Sequence, residues 1–243
     1  MSQWVKLKPV RHQVAIAGQV TDAETTQAIS GARVEITTMP DKFKTWLALH
    51  SMQYGSKWEQ MVERPDRKRT AVDGFFYFLD LPDGEYILTA SLQSAGTRYG
   101  QTSTEPITVS RQDGNINASW ETGGNLNVVI ALQPTAIKGT ITDSSNQAVV
   151  MAKVQVEGSP EHTFSDSKGC YLLIGLEAPS QRSVNVFVTA LGYEFQPCPP
   201  QTEITRGCVK TQNFRLVEKA KQQSEASQSR TTSVKKGQEG QGG

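Results

Sequence analysis

The sequence of 243 residues lacks a long apolar run, a cysteine framework and any surplus of charge. No stretch approaches the roughly 18 apolar residues that cross a bilayer, so we expect no membrane insertion. The first residues also lack the apolar core of a secretory signal, so we expect the protein to be cytoplasmic at synthesis. Its three cysteines are too few and too irregularly spaced for a disulfide framework or a zinc site, although Cys198 and Cys208 could pair if oxidised.

The charge is balanced, with 25 lysines and arginines against 24 aspartates and glutamates, which gives a net charge of +1. Binding to nucleic acid requires a basic face that neutralises several phosphates, so we expect no nucleic-acid partner. The one short basic run, residues 64–69, is interpreted as a solvated loop. Contacts with partners are therefore expected to be local, aromatic and based on shape.

An internal repeat is the most informative feature of the chain. Each copy contains a strand centred on glycine, then a turn of small residues with an alternating strand, and then an Asp–Gly or Asp-x-x-Gly turn with an aromatic strand. These segments are residues 14–22, 31–36 and 73–81 in the first copy and 136–143, 152–156 and 166–176 in the second. Alternating apolar residues between turn signals every eight to twelve residues are typical of antiparallel β-sandwiches.

The order Gly-x-Val-x-Asp, Gly-Ala-x-Val-x-Ile and Asp-Gly-x-Phe-x-Phe in the first copy resembles the carboxypeptidase regulatory-like domain. The second copy departs from this pattern, with Asp-Ser-Lys-Gly in place of Asp-Gly. The resemblance implies an all-β protein of two tandem seven-stranded antiparallel sandwiches of the prealbumin-like (CnaB-like) type. We place them at residues 12–134 and 135–217, between an N-terminal arm (1–11) and a tail (218–243).

The chain lacks the motifs of enzymes that are related to such domains. Metallocarboxypeptidases hold zinc in a separate catalytic domain with a His-x-x-Glu pair, whereas none of the histidines, at 12, 50 and 162, has glutamate three residues later. The Tyr-Arg-Gly-Ser terminus of the prealbumin-like hydrolases is also missing. We therefore expect no enzymatic activity, no catalytic residue, no cofactor and no metal.

Two further groups of residues leave alternatives open. Four aspartates recur at the predicted turns: Asp22, Asp73, Asp143 and Asp166. Capping of their own turns is favoured over calcium binding. Some related bacterial surface domains form a Lys–Asn isopeptide bond between their first and last strands. Lys138 and Asn213 lie on suitable strands of the second copy, so such a cross-link is an alternative that an intact mass would test.

The first copy carries about 25 extra residues between its alternating strand and its Asp–Gly turn. Within this insert, residues 38–66, large apolar residues recur at helical spacing at positions 43, 46, 47, 54, 58, 61 and 62. Asp41, which follows Pro40, is predicted to cap the helix, and Pro65 to end the run. The first sandwich is therefore predicted to carry a helical insert.

Aromatic residues are concentrated in this insert. One interpretation is a lid whose apolar face packs on the parent sandwich. The other is a partner-binding surface, because aromatic residues dominate interface hot spots, and the two interpretations are compatible. The candidate partner-binding residues are the aromatics of the insert and one tryptophan of the arm: Phe43, Trp46, Tyr54, Trp58 and Trp4.

These features predict a non-enzymatic structural or assembly protein whose sandwiches act as spacer and protein-docking modules. A subunit of a phage tail-like contractile injection particle is one example, and the expected partners are other protein subunits. The alternative is a carbohydrate- or cell-surface-binding β-sandwich protein, with a glycan as partner and exposed aromatic platforms as its signature. The polar composition from residue 218 onward predicts disorder in the tail.

Overall fold

Short strands separated by glycine- and aspartate-containing turns fill most of the computed structural model, which describes residues 11–194 and 200–219. The first half contains ten strands, two helices and a short 3₁₀ turn, Gln93–Ala95. They are β1 (Val14–Asp22), β2 (Arg33–Thr38), α1 (Asp41–Tyr54), α2 (Lys57–Gln60), β3 (Arg67–Arg69), β4 (Phe75–Leu79), β5 (Gly84–Ser91), β6 (Gln101–Ser103), β7 (Ile107–Val109), β8 (Arg111–Gln112), β9 (Asn115–Ile116) and β10 (Val128–Leu132).

Two sheets enclose the core of the first half. One has the order β10–β1–β4, and the other has the order β3–β2–β5–β6 with β7 also paired to β5. Alternate residues of these strands point inwards, because successive side chains of a strand face opposite sides of its sheet. The largest fully buried side chains of this core include Ile16, Phe78, Tyr86 and Leu88.

The second half repeats this arrangement on a smaller scale. Its strands are β11 (Ala136–Thr142), β12 (Lys153–Val156), β13 (His162–Phe164), β14 (Cys170–Leu173), β15 (Arg182–Thr189), β16 (Gln201–Ile204), β17 (Val209–Thr211) and β18 (Phe214–Arg215). One sheet has the order β14–β11–β17, with β18 also on β11, and the other has the order β13–β12–β15–β16. Ile137, Ile141 and Leu173 belong to a core cluster that is separate from that of the first half.

The predicted all-β class is confirmed. The prediction that all strands pair antiparallel is wrong for the first strand of each half. The first strand of each half runs parallel to the last: β1 to β10, and β11 to both β17 and β18. Hydrophobic alternation reports which face of a strand is buried and carries no information on the direction of its neighbour. The strand count also differs from seven, because several two- and three-residue strands extend the sheets.

The parallel pairing explains why glycine recurs in the first strand of each copy. A Cβ atom at Gly18 would lie 2.1 Å from the carbonyl oxygen of Val128, and one at Gly139 would lie 1.9 Å from that of Gln212. Any side chain would therefore force the last strand away from the first. The repeated glycine is a consequence of close backbone approach.

The four repeated aspartates cap their own turns, as the favoured interpretation predicts. Oδ1 of Asp22 accepts hydrogen bonds of 2.8 Å from the amides of both Glu24 and Thr25. The Oδ1 atoms of Asp73, Asp143 and Asp166 accept backbone N–H groups in the same way. Within residues 11–194 and 200–219, no group of three or more acidic, histidine or cysteine side chains could hold a metal ion. In the same ranges, no helix is long and apolar enough to cross a membrane.

Candidate docking surface on the helical insert

The predicted helical insert is present as two helices between β2 and β3. Helix α1 begins after Pro40, whose backbone is extended (φ −62°, ψ 146°), and no side chain caps it. Asp41 lies in the first turn, so the prediction that it caps the helix is wrong, although its charge suits a helix N-terminus. Gly55 ends α1 at φ 57° with its N–H bonded to the carbonyl of Ser51, and α2 ends at Gln60, five residues before Pro65.

One side of the insert is part of the first core. Phe43 and Leu47 are buried on α1, and the ring of Phe43 lies 6.1 Å from that of Tyr86, nearly perpendicular to it. Trp58 is buried on α2, and the guanidinium carbon of Arg64 lies 5.0 Å from its ring centroid. Phe43 and Trp58 therefore anchor the insert, and their prediction as partner-contacting residues is corrected: burial leaves them almost no surface for a partner.

The basic run behind the insert is not a solvated loop. Arg64 and Arg67 are both buried, and they pair with Asp66 at 2.9 Å and with Glu35 at 2.7 Å respectively. Burial raises the pKa of the Glu35 carboxyl, but hydrogen bonds from Arg33 and Arg67 outweigh it, so the pKa is lowered. The Arg67–Glu35 pair joins β3 to β2, and the Arg64–Asp66 pair lies within the end of the insert. The sequence did not reveal the pair of Arg67 with Glu35, because the two residues are 32 positions apart.

The opposite side of α1 exposes apolar side chains. We call the set formed by Trp46 (41% exposed), Leu49 (62%) and Met52 (79%) the α1 ridge. Tyr54 (46%) follows Leu47 by seven residues, about two helical turns, so it lies on the side of Phe43 and Leu47 and is exposed at the end of the helix. Trp46, Leu49 and Met52 follow one another at steps of three residues, which places them side by side along a helix. A spacing of this kind is how helices present anchors to a partner.

The α1 ridge is supported from behind by the buried face. The ring of Trp46 stacks on that of Phe43 at 5.7 Å and 12°, and the ring of His50 lies 3.8 Å from Trp46. Trp46 is therefore held in one orientation before any partner arrives, which lowers the entropy cost of binding. Of the predicted partner-binding residues, Trp46 belongs to the α1 ridge and Tyr54 is exposed at the end of α1, whereas Trp4 lies outside the described residues. Leu49 and Met52 were not predicted, because aromatic content and not the helical register set by Phe43 and Leu47 was the basis of the prediction.

The alternative of a cross-link between Lys138 and Asn213 does not fit the geometry. Nζ of Lys138 lies 2.9 Å from Oε2 of Glu24, in the other half of the chain. Oδ1 of Asn213 accepts a hydrogen bond of 2.9 Å from the amide of Thr140. Both groups have other partners on the exposed face of the sheet. Cys170 and Cys208 are free and exposed, and Cys198 lies outside the described residues, so the Cys198–Cys208 pairing stays a prediction.

The two halves meet at a polar seam centred on Thr135, which is fully buried. Its hydroxyl donates to the carbonyl of Thr97 and accepts from the amide of Gly207, at 2.8 Å in both cases. A Cβ atom at Gly207 would lie 2.4 Å from Cα of Gly100, so the two backbones touch. The halves are therefore in direct backbone contact.

Ion pairs surround this seam. The guanidinium of Arg98 lies 3.3 Å from the carboxylate of Glu161 and 3.4 Å from that of Glu177, both in the second half. Nε of Arg206 donates to the carbonyl of Tyr99 at 2.9 Å. A small cavity of about 170 Å³ lies here between Arg98, Glu161, Glu177 and Arg182. The seam was not predicted, since its partners are far apart in sequence.

No family model matches the chain, and no curated protein matches it. Among solved structures it is similar to the shaft pilin SpaA from Lactobacillus rhamnosus GG, with 11% identity, 86% of this chain and 97% of that chain covered, and a TM-score of 0.35. The minor pilin GBS52 of Streptococcus agalactiae has 11% identity, 84% and 97% coverage and a TM-score of 0.29.

A third similar structure is a type II cohesin–X-dockerin complex from Acetivibrio cellulolyticus. It has 11% identity and a TM-score of 0.27, and the match covers 35% of this chain and 58% of that chain. Similarities at these TM-scores carry no argument about function, and the fold described above rests on the chain's own strand pairing. No family model supports the resemblance to the carboxypeptidase regulatory-like domain.

Proposed function

We propose that this chain is a non-enzymatic structural protein in which two joined β-sandwiches act as a spacer and the α1 ridge docks another protein subunit. The α1 ridge carries the proposal, because it exposes three large apolar side chains on a helix that is anchored to the core from its other side. Exposed apolar residues that lie together on a rigid support are typical of protein interaction sites.

The spacer role is supported by the polar seam. The buried hydroxyl of Thr135, the Gly100–Gly207 contact and the ion pairs of Arg98 link the halves at several separate points. A joint held by many short contacts keeps two domains in one orientation, whereas a flexible linker would not. A fixed distance and angle between two docking modules is what an assembly needs from a spacer.

Three of the carboxylates with lowered pKa serve structural contacts. Asp22 caps a turn, and Glu35 pairs with Arg33 and Arg67. Asp80 accepts a hydrogen bond from the amide of Gln13, and its lowered pKa reflects burial outweighed by bonds from His12 and that amide. These roles account for the shifts without a reaction and support a non-enzymatic function.

The same architecture suits a subunit of a large particle, such as a phage tail-like contractile injection particle assembled in the cytoplasm. Subunits of such a particle need fixed spacing and specific docking, which the polar seam and the α1 ridge would supply. The mass of the native complex tests this narrower proposal. A particle of megadalton size supports it, and a small hetero-oligomer contradicts it.

A photo-crosslinking amino acid at Met52 tests docking at the α1 ridge in cells that produce the protein. Met52 is exposed, so the substitution leaves the core intact. We expect a cross-linked product of one defined mass from Met52 and none from the matched control at Thr108, an exposed residue of β7. Equal products from both positions, or no product from Met52, would contradict docking at the α1 ridge.

A second candidate function, glycan binding, is favoured by one observation. Phe75 and Tyr77 on β4 point to the same outer face of their sheet and are each about half exposed. Neighbouring aromatic rings on a flat face offer a stacking platform for sugar rings. Binding to a glycan array that is lost in Tyr77→Ala would support this function.

A further inference from the structure

The edge of strand β4 is open in the first half from Tyr77 onward, whereas at Phe75 the C=O accepts the N–H of Ala71 at 2.9 Å and the N–H donates to Asp73 at 3.1 Å. Among the described strands, β4 is the last in the order β10–β1–β4, and β1 is its pairing partner. The amide of Val20 donates to the carbonyl of Gly74 at 2.9 Å, and this bond shows which residues of β4 are hydrogen-bonded to β1. In an antiparallel pair, alternate residues bond to the partner strand. Phe76 and Phe78 therefore bond towards β1, and the N–H and C=O groups of Tyr77 point to the open edge.

The side chains on this strand are apolar and exposed. Its five residues, Phe-Phe-Tyr-Phe-Leu, include no charge and no proline. Phe75 is 51% exposed and Tyr77 is 56% exposed, and Leu79 and Val129 extend the same apolar face. Gln19 of β1 lies between Phe75 and Val129 in the pairing register.

Nearby edges lack this combination. Strand β3, at the end of the facing sheet, reads Arg-Lys-Arg, and charged side chains are a common device that prevents edge pairing. In the second half, β14 pairs with β11 in the same way as β4 pairs with β1. The outward residues of β14 include Cys170 and Leu172, which occupy the positions that Phe75 and Tyr77 occupy on β4. The second half therefore has a cysteine and a leucine at the two positions where the first half has exposed aromatic residues.

We propose that β4 is a self-association site, at which a second copy of this chain adds its own β4 in antiparallel orientation about a two-fold axis through Tyr77. This inference is independent of the α1 ridge and of the proposed function. The two Tyr77 residues would exchange N–H···O=C hydrogen bonds, because both groups of each residue point to the open edge. The two sheets would then continue as one six-stranded sheet.

The charges near β4 favour a second copy as the occupant. In this register Phe75 lies opposite Leu79 of the other copy, and Gly74 lies opposite Asp80, so no acidic residue faces another directly. Every cross-strand pair within β4 is apolar, which stabilises antiparallel pairs. A two-fold interface needs one self-complementary patch, and β4 supplies both the hydrogen-bonding groups and the side chains for it.

The expected association is weak. One strand edge buries less than the roughly 1,000 Å² of a stable interface, so we expect a dissociation constant on the order of 100 μM. Copies that are held close together in an assembly would pair more fully, because their effective concentration reaches the millimolar range.

Sedimentation velocity from about 10 μM to about 1 mM tests the site. We expect the full chain to dimerise reversibly, and Tyr77→Glu to weaken dimerisation at least tenfold because it places two carboxylates on the two-fold axis. Leu172→Glu, at the equivalent position of β14, is the matched control and should dimerise like the unchanged chain. A chain that stays monomeric at about 1 mM, or a dimer that Tyr77→Glu leaves intact, would overturn the proposal.

A pair of substitutions separates strand pairing from simple apolar contact. Tyr77→Val removes the ring and keeps the N–H, whereas Tyr77→Pro also removes the N–H that points to the open edge and spares the ladder to β1. We expect Tyr77→Val to retain part of the dimer and Tyr77→Pro to lose it. Equal dimerisation of the two variants would contradict strand pairing.

Disulfide trapping keeps the test independent of how Tyr77→Pro folds. In a chain whose three cysteines are replaced by serine, Tyr77→Cys should form a disulfide-linked dimer under mild oxidation, since antiparallel partners lie about 5.5 Å apart at Cα. Val72→Cys, which is also exposed but lies outside β4, should not. Glycan binding that depends on Tyr77 in a strictly monomeric chain would assign β4 to a sugar instead and overturn the proposal.

Discussion

The hydroxyl of Tyr99 donates a hydrogen bond of 2.7 Å to Oδ2 of Asp22. This bond joins the turn after β1 to the loop that carries the seam residues Thr97 and Arg98. Burial raises the pKa of the Asp22 carboxyl, but the bonds from Tyr99, Thr25 and Glu24 outweigh it, so the pKa lies below its usual value of 3.8. Burial and the same bond to Asp22 raise the pKa of Tyr99 to about 12.

The lowered pKa of Asp22 predicts an acid-dependent loss of stability. Its ionised form is favoured in the folded chain, so this contribution is complete above the unfolded value of 3.8 and is lost as the pH falls through the folded pKa. We expect the free energy of unfolding in urea to be level from about pH 7 to about pH 5 and to fall below about pH 4. Asp22→Asn should be less stable at neutral pH and should show a shallower fall.

The raised pKa of Tyr99 predicts a loss of stability at alkaline pH. Its neutral form is favoured in the folded chain, so this contribution is complete below the ordinary value of 10.0 and is lost as the pH rises to about 12. Tyr99→Phe should reduce the loss of unfolding free energy at alkaline pH. The loss at acid pH that is due to Asp22 should remain but become smaller. An unchanged loss of unfolding free energy at alkaline pH in this variant would contradict the role given to the Tyr99–Asp22 bond.

Gly18→Ala and Gly139→Ala should both be strongly destabilising. Each new methyl group would overlap a backbone carbonyl oxygen, that of Val128 in β10 at 2.1 Å and that of Gln212 between β17 and β18 at 1.9 Å. We expect each substitution to cost at least about 2 kcal/mol in urea unfolding, since backbone cannot move aside as a flexible side chain can. Thr108→Ala, at an exposed position of β7, should change stability by less than about 0.5 kcal/mol.

The two roles of α1 can be separated by a matched pair of substitutions. Phe43→Ala removes a buried ring that touches Tyr86, and we expect it to cost about 3–5 kcal/mol of stability. Trp46→Ala removes a ring that is 41% exposed, and we expect a cost of no more than about 1 kcal/mol. Thermal and urea denaturation give both values. Similar costs for the two would mean that the exposed side of α1 serves stability and not docking.

Thr135→Val tests the polar seam without changing the shape of the side chain. The substitution leaves the partly buried amide of Gly207 and the carbonyl of Thr97 without the bonds that the hydroxyl provides. We expect a loss of about 1–3 kcal/mol, together with a wider distribution of distances between spin labels on the two halves. A stable variant with an unchanged distance distribution would show that the seam does not depend on this hydroxyl.

Local patterns predicted the elements better than they predicted their assembly. The repeat, the strand segments and the helical insert depend on alternation, helical spacing and Gly or Asp turns, which are visible within about ten residues. The parallel pairing of β1 with β10 and the ion pair of Arg67 with Glu35 depend on groups far away in sequence. The register of α1 contained the signal that would have placed Leu49 and Met52 outside and Phe43 inside.

The central claim is that the α1 ridge docks another subunit while the sandwiches keep their fold. The most direct test is the size of the native complex in cells that produce either the unchanged chain or the triple variant Trp46→Ser, Leu49→Ser, Met52→Ser. The matched control is Lys42→Ser, Lys44→Ser, Gln53→Ser, which changes exposed polar residues of the same helix. We predict that the triple variant is lost from the complex with its melting temperature nearly unchanged, whereas the control remains in it. A triple variant that stays in the complex, or an unchanged chain that occurs as a lone monomer, would contradict the claim.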